Sequence, residues 1–299
     1  MHPCKDYPMS HATRLQFEQV PSTLSQAFRG LFSRTTNNRN PQLPSIDAVI
    51  YGLKPEKSNV TAYADICGFG ETKGKLPLTY PHILAFKLHM ELMLHHSFPL
   101  AVMGMVHVSN TITQHRAIGE DEVLDIRAYF TDGIRTDKGL EVYIRSEVRV
   151  GMELVWEDSS TYLGILPSKG GSKKKGAKER PALPVHASKE SWILPSNLGM
   201  RYGKISGDPN PIHMNPYTAK LFGFKRHIAH GMWTKARVAA ALYRKLGSES
   251  CSLTIDFKLP IFLPGQVELQ FTQDGDVIDF DVRDMKGEKL HLKGQIKAV

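Results

Sequence analysis

Two stretches in the first half of the chain alternate apolar and polar residues with a period of two. In the first, Leu124, Ile126, Ala128 and Phe130 alternate with Asp125, Arg127 and Tyr129. In the second, Leu140, Val142, Ile144, Val148 and Val150 alternate with Glu141, Tyr143, Arg145, Glu147 and Arg149. Successive strand side chains point to opposite faces, so this pattern predicts antiparallel strands with one face buried. Asp132-Gly133 and Lys138-Gly139 read as the turns between strands. Upstream, Pro81 to His96 reads as a helix with proline in its first turn. Ile83, Leu84, Leu88, Met90, Leu92, Met93 and Leu94 make it apolar over most of its circumference, which demands burial on nearly all sides. His82, His89, His95 and His96 lie on or beside it and read as a polar stripe at a helix edge. The weakly amphipathic stretch Leu24 to Arg34 predicts a short helix capping this half.

The second half follows the same order. Gly231 to Leu246 predicts a helix rich in alanine, stopped by Gly247. Four strand patterns come next: Leu253 to Leu259, Val267 to Phe271, Val277 to Asp284 and Leu290 to Ile296. Turns at Pro264-Gly265, Asp274-Gly275 and Lys286-Gly287 separate them. A long apolar helix followed by an antiparallel meander, twice, predicts an α+β protein in which each sheet wraps a helix. Two such copies side by side would form a pseudo-dimer within one chain.

Residues 167–190 hold almost no large apolar side chains and read as a basic, flexible linker. They divide the chain into an N-terminal domain, 1–166, and a C-terminal domain, 191–299. The linker also accounts for most of the formal charge of +8: it carries seven positive residues against two negative ones. A charge concentrated in a solvated linker, with no basic face interleaved with aromatics, argues against a nucleic-acid module. No apolar run is long enough for a membrane span, and the first ten residues lack the apolar core of a secretory signal. Cys4, Cys67 and Cys251 are too scattered for a disulfide framework and fit a reducing, cytoplasmic setting as structural thiols.

The chemistry concentrates in residues 202–231, YGKISGDPNPIHMNPYTAKLFGFKRHIAHG. Pro209 and Pro211 flank Asn210 and oppose regular helix, so Asp208 and His213 should be held on a stiff, non-helical connection. Asn215 should cap a short helix beginning at Pro216 and ending at Gly223. A carboxylate and an imidazole together can take up and deliver protons near neutral pH. Gly231 opens the buried helix, where free N–H groups and the helix dipole favour developing negative charge. With no side chain there, a ligand oxygen can approach the Gly231 N–H.

The run Tyr202, Ser206, Gly207, Asp208, Asn210, Pro211, His213 and Ala219, continued by Gly223, Phe224 and Ile228 to Met232, resembles the signature of the MaoC-like (R)-specific enoyl-CoA hydratases and dehydratases. The resemblance spans about residues 197–250. It implies a hot-dog fold, a sheet wrapping one long helix. It implies reversible hydration of trans-2-enoyl thioesters to (3R)-3-hydroxyacyl thioesters, with Asp208, His213 and Gly231 as catalytic residues. Tyr202, Ser206, Asn210 and His230 fall beside them as candidate substrate-pocket residues; Tyr202 divides evenly between packing and pocket lining, Asn210 reads more naturally as bonding the loop backbone, and His230 as packing the loop at the helix start. No cofactor is implied. The partner is an acyl-CoA or acyl-carrier-protein thioester, and a homodimer is compatible. The first half has no such motif and looks like a degenerate hot dog that shapes the acyl pocket. Ser206 lacks the G-x-S-x-G surroundings of a nucleophile. His213, His227 and His230 lack the HExxH spacing, and no cysteine or carboxylate in sequence completes a metal set with them, so no metal is expected.

Overall fold

The computed structural model describes residues 13–36, 41–166 and 182–299. The first half runs β1 (Thr13–Phe17), α1 (Thr23–Leu31), β2 (Ile46–Leu53), α2 (Lys57–Cys67), α3 (Tyr80–Met93), β3 (Val106–Gln114), β4 (Leu124–Thr136), β5 (Gly139–Val150) and β6 (Glu153–Ile165). The second runs β7 (Ser188–Leu194), α4 (Leu198–Ser206), α5 (Pro211–Met214), α6 (Pro216–Leu221), α7 (Gly231–Leu246), β8 (Cys251–Phe257), β9 (Gly265–Asp274), β10 (Val277–Asp284) and β11 (Leu290–Ala298).

The strands form one sheet in the order β1-β2-β4-β5-β6-β3-β8-β11-β10-β9-β7. The halves meet where β3 pairs antiparallel with β8, from Ser109 opposite Asp256 to Gln114 opposite Cys251. Each half curves around its own helix. Leu88 and Leu92 of α3 are fully buried against the first half-sheet, and Ala236, Val238, Ala239 and Leu242 of α7 against the second. Helix α2 lies over the junction. Its Asn59 side chain donates to the Ile205 carbonyl at 3.2 Å, and Trp233 Nε1 of α7 donates to the Ile66 carbonyl at 2.8 Å. No helix among the described residues is long and apolar enough to cross a membrane.

The predicted elements recur with instructive shifts. Helix α7 and strand β10 have the expected ends; α3 stops at Met93, three residues short of His96. Asp132-Gly133 is not a turn but part of β4, where the register with β5 slips between Phe130 and Asp132. The bulge falls at Thr131, and Asp132 and Gly133 pair in the ladder with Tyr143 and Val142. His82 and His89 are not at a helix edge: both are buried, at 2% and 0% exposure. Strands β2, β3 and β6 had no clean alternation. β3 and β6 lie inside the sheet, where polar side chains find partners across strands. Residues 188–190, assigned to the linker by composition, belong to β7, which pairs with β9. Residues 167–181 of that stretch, and Cys4, lie outside the described residues. Cys67 and Cys251 are buried free thiols.

Candidate active site

Helix α4 carries Gly199 and Gly203 and ends at Gly207, a left-handed residue with φ +68°. This four-residue glycine spacing makes one face of the helix bare backbone. The following loop packs directly on it. A Cβ at Gly199 would strike the His213 carbonyl, and one at Gly203 would sit 2.7 Å from the Asp208 carbonyl oxygen. The loop is stiff through its own bonds. Asn210 N donates to Asp208 Oδ1 at 3.2 Å, and Asn210 Oδ1 accepts from Ile212 N at 3.3 Å. The second bond N-caps α5, with Pro211 at its first position. His213 therefore stands on a one-turn helix rather than on the stiff, non-helical connection anticipated from the two prolines. Asn215 caps α6 as expected, accepting from Tyr217 N and Thr218 N at 2.9 Å.

Asp208, His213 and His230 converge, with one ligating atom of each lying within 4.8 Å of the others. His213 Nδ1 donates to the Ile228 carbonyl at 2.8 Å. That bond sets the tautomer of the neutral ring: the proton is on Nδ1, and Nε2 carries a free lone pair. Burial lowers the His213 pKa, against the opposing pull of the Asp208 charge, so the ring is neutral near pH 7. The His230 ring stacks on His213 with centroids 3.7 Å apart, and its Nε2 donates to the Asp208 carbonyl at 3.2 Å. Burial holds His230 neutral too. Asp208 Oδ1 is committed to its loop, while Oδ2 lies 3.7 Å from His230 Nε2. A carboxylate oxygen and a bare imidazole nitrogen thus face one small volume.

Asp208 also completes the carboxylate–histidine set that the sequence spacing lacked. The proton that His230 Nε2 gives to the Asp208 carbonyl occupies the lone pair of that nitrogen, so it offers nothing to a cation.

The candidate pocket residues take distinct places. Tyr202 is buried with its ring 5.0 Å from His230, and Ser206 Oγ accepts from Asp208 N at 3.4 Å. Asn210 positions the loop, and His230 occupies the N-cap position of α7. All four border a cavity of about 440 Å³, along with Asp208, His213 and Gly231. Gly231 opens α7 without a side chain. Its N–H belongs to the unpaired first turn of α7, and a Cβ there would lie 2.7 Å from the Phe257 ring.

One contributor comes from the other half and has no sequence signal. Lys87 of α3 is buried, and its Nζ donates to the Gly207 carbonyl at 2.8 Å and to Thr23 Oγ1 of α1. Burial lowers its pKa to about 8, with the Asp208 charge working the other way. The spacing of Gly199, Gly203 and Gly207 was a legible signal for the loop's close packing; a lysine within an apolar helix was not.

Two half-sheets, antiparallel except where β1 pairs parallel with β2, each closed on one helix and joined edge to edge, define a double hot-dog protein. Residues 175–295 match the MaoC like domain family. The chain is 33% identical over 262 residues to 3-hydroxyacyl-thioester dehydratase X of Mycobacterium tuberculosis, covering 87% of this chain and 92% of the relative. It is 33% identical over 69 residues to the (R)-specific enoyl-CoA hydratase of Aeromonas caviae, covering 22% of this chain and 52% of that protein. Among solved structures, HtdX of Mycobacterium tuberculosis superposes with a TM-score of 0.73 at 30% identity, over 85% of this chain and 100% of that one. A MaoC-like dehydratase from Phytophthora capsici shares the fold with a TM-score of 0.71 at 18% identity, over 88% and 98%. The chain belongs to the MaoC-like dehydratase family.

Proposed function

We propose that this protein reversibly hydrates trans-2-enoyl thioesters to (3R)-3-hydroxyacyl thioesters. The observation that carries the reading is the convergence of Asp208 and His213, with the His213 tautomer set by the Ile228 carbonyl, next to the open first turn of α7. A water held between Asp208 Oδ2 and His213 Nε2 attacks C3 of the enoyl group. His213 Nε2 accepts a proton from that water as the new C–O bond forms, and Asp208 orients the water. Electron density moves from the double bond onto the thioester oxygen. The Gly231 N–H and the α7 dipole stabilise it there. The enolate collapses and C2 takes up the proton from the pair, which restores the resting state. Dehydration is the reverse path.

The N-terminal half serves as a degenerate hot dog. Asp208, His213 and Gly231 all come from the second half, while Phe86, Met90, Met93 and Met105 of the first border the same cavity. These soft apolar side chains suit an acyl chain. The thioester carrier is coenzyme A or an acyl carrier protein, and parallel rate measurements on the two identify which. The two halves already pair through β3 and β8, so the proposed site needs no residue from a second copy.

The test follows loss of the enoyl-thioester absorbance with crotonyl-CoA for wild type, Asp208→Asn and His213→Gln. Each substitution should lower kcat by about 10³-fold, as for other lost acid–base groups. A wild-type rate in either variant refutes the assigned pair.

A further inference from the structure

The cavity reaches past the reacting residues into a gap beside α1 and α3. Thr23, Ala27 and Gly30 of α1 border it, as do Phe86, Met90 and Met93 of α3. The gap starts at the reacting loop: Lys87 Nζ bonds Thr23 Oγ1 and donates to the Gly207 carbonyl at 2.8 Å, beside Asp208. Polar bonds then pin α1 along α3. Gln26 Nε2 donates to the Lys87 carbonyl at 2.8 Å and to Glu91 Oε1 at 2.9 Å, and Arg29 donates to Glu91 Oε2 at 2.8 Å. Thr23 thus pairs with Lys87 and Arg29 with Glu91, so both helices lead away from Asp208 in the same direction.

Gly30 lies near the far end of α1. It is buried, seven residues beyond Thr23 and four beyond Gln26, hence on the same helix face. Among the described residues nothing asks for glycine there. Its φ lies outside the left-handed region, and an added Cβ would meet none of their atoms within 4 Å. Glycine is also a poor helix former, so alanine would suit α1 better. The contrast is with Gly199 and Gly203, where loop backbone packs against the bare helix face. At Gly30 a buried position faces open cavity instead.

The two helices measure this arm of the cavity. Seven residues separate Thr23 from Gly30, and seven separate Phe86 from Met93, a rise of about 10 Å along each helix. An extended alkyl chain with bonds of about 1.5 Å advances roughly 1.25 Å per carbon, so the arm takes about eight carbons beyond the reacting double bond. Leu31, 62% exposed, stands at the rim where the arm ends.

We propose that Gly30 holds open the distal arm of the acyl cavity, and that the preferred substrates are trans-2-enoyl thioesters of about ten to twelve carbons. Gly30 acts through the space it leaves and touches no reacting atom. A side chain at this position would enter the arm about eight carbons from the double bond and shorten the chain that fits. Each methylene enclosed there tightens binding about three- to fourfold, so the loss is felt by long chains and not by short ones. The inference rests on the thioester reading of the cavity and deepens it by naming the chain length.

The experiment measures kcat/KM on trans-2-enoyl-CoAs of increasing chain length for wild type, Gly30→Ala, Gly30→Val and Gly30→Leu. In wild type kcat/KM should rise from the four-carbon substrate to chains of about twelve carbons. The ratio between the long and the four-carbon substrate should fall stepwise through the series, by about tenfold or more in Gly30→Leu. All three replacements are better helix formers than glycine, so their thermal midpoints should equal or exceed that of wild type. Binding of saturated acyl-CoAs of the same lengths is measured alongside, so chain recognition is read without turnover. If no enoyl-CoA is hydrated, yet long acyl-CoAs bind wild type tightly and Gly30→Leu weakly, the hydratase reading falls and this one stands. A wild type indifferent to chain length, or a Gly30→Leu variant with an unchanged ratio, would overturn it. So would a variant that melts well below wild type, since packing rather than ligand room would then explain the glycine.

Discussion

Replacing Lys87 with methionine should separate stability from catalysis. Lys87 is 7% exposed, and burial pushes its amine down from 10.5 to about 8. Holding it charged at neutral pH therefore costs the folded state about 3 kcal/mol. Methionine removes that cost and fills similar volume. It also removes the bond to the Gly207 carbonyl at 2.8 Å and the bond to Thr23. Leaving a largely buried carbonyl unpaired costs about 1–3 kcal/mol. The two terms oppose, so Lys87→Met should be between as stable as wild type and about 2 kcal/mol more stable. Catalysis has no such compensation. Gly207 precedes Asp208 directly, and the lysine ties the proposed catalytic loop to α3. A small displacement of a reacting group lowers rate steeply, so kcat should fall about tenfold or more with KM less affected. Urea denaturation at pH 7.5 gives the first quantity and the enoyl-CoA assay the second. A variant destabilised by more than about 3 kcal/mol would refute the burial argument. One with wild-type kcat would refute the positioning role.

Further outcomes follow from the same contacts. The log of kcat/KM should stay flat as pH falls through 6.5 and decline only below it, because burial lowers the His213 pKa and the neutral ring is the working form; a midpoint at or above 6.5 would contradict this. His89 is lowered from 6.5 to about 3 by burial, so its contribution to stability is complete above pH 6.5 and is lost as pH falls, by about 2 kcal/mol at pH 5. Denaturation of His89→Gln at pH 7.5 and pH 5 should show that much less pH dependence than wild type, and an unchanged slope would count against it. Gly203→Ala should lower kcat about a hundredfold, since its Cβ would press on the Asp208 carbonyl and displace the loop; an unimpaired rate would mean that the loop does not need the bare helix face.

Much of this protein was legible along the chain because the signals are local. Gly247 stops α7 where expected, because only glycine takes the left-handed C-cap freely. Asn215 caps α6 from one residue before Pro216, and Ile278, Phe280 and Val282 alternate with Asp279, Asp281 and Arg283 along β10. The pairing of Asp208 with His213 and the opening of a helix at Gly231 were readable for the same reason: the residues share one short segment.

What tertiary structure alone decided involves partners far apart in sequence. The tautomer of His213 depends on a carbonyl fifteen residues away, and the tie on the loop that carries Asp208 comes from Lys87, 120 residues from Gly207. Polar side chains read as surface features by pattern turned out to be interior. His82 and His89 belong to an apolar helix, and nothing near them in sequence indicates that Asp158, Tyr162 and Ser146 will meet them. Strand β3 carries few large apolar residues because it lies mid-sheet between β6 and β8, where Asn110 and Thr111 bond across strands. Periodicity reports which face of an element avoids water. It does not report which buried polar atom will find a partner, because that is settled only when distant segments pack.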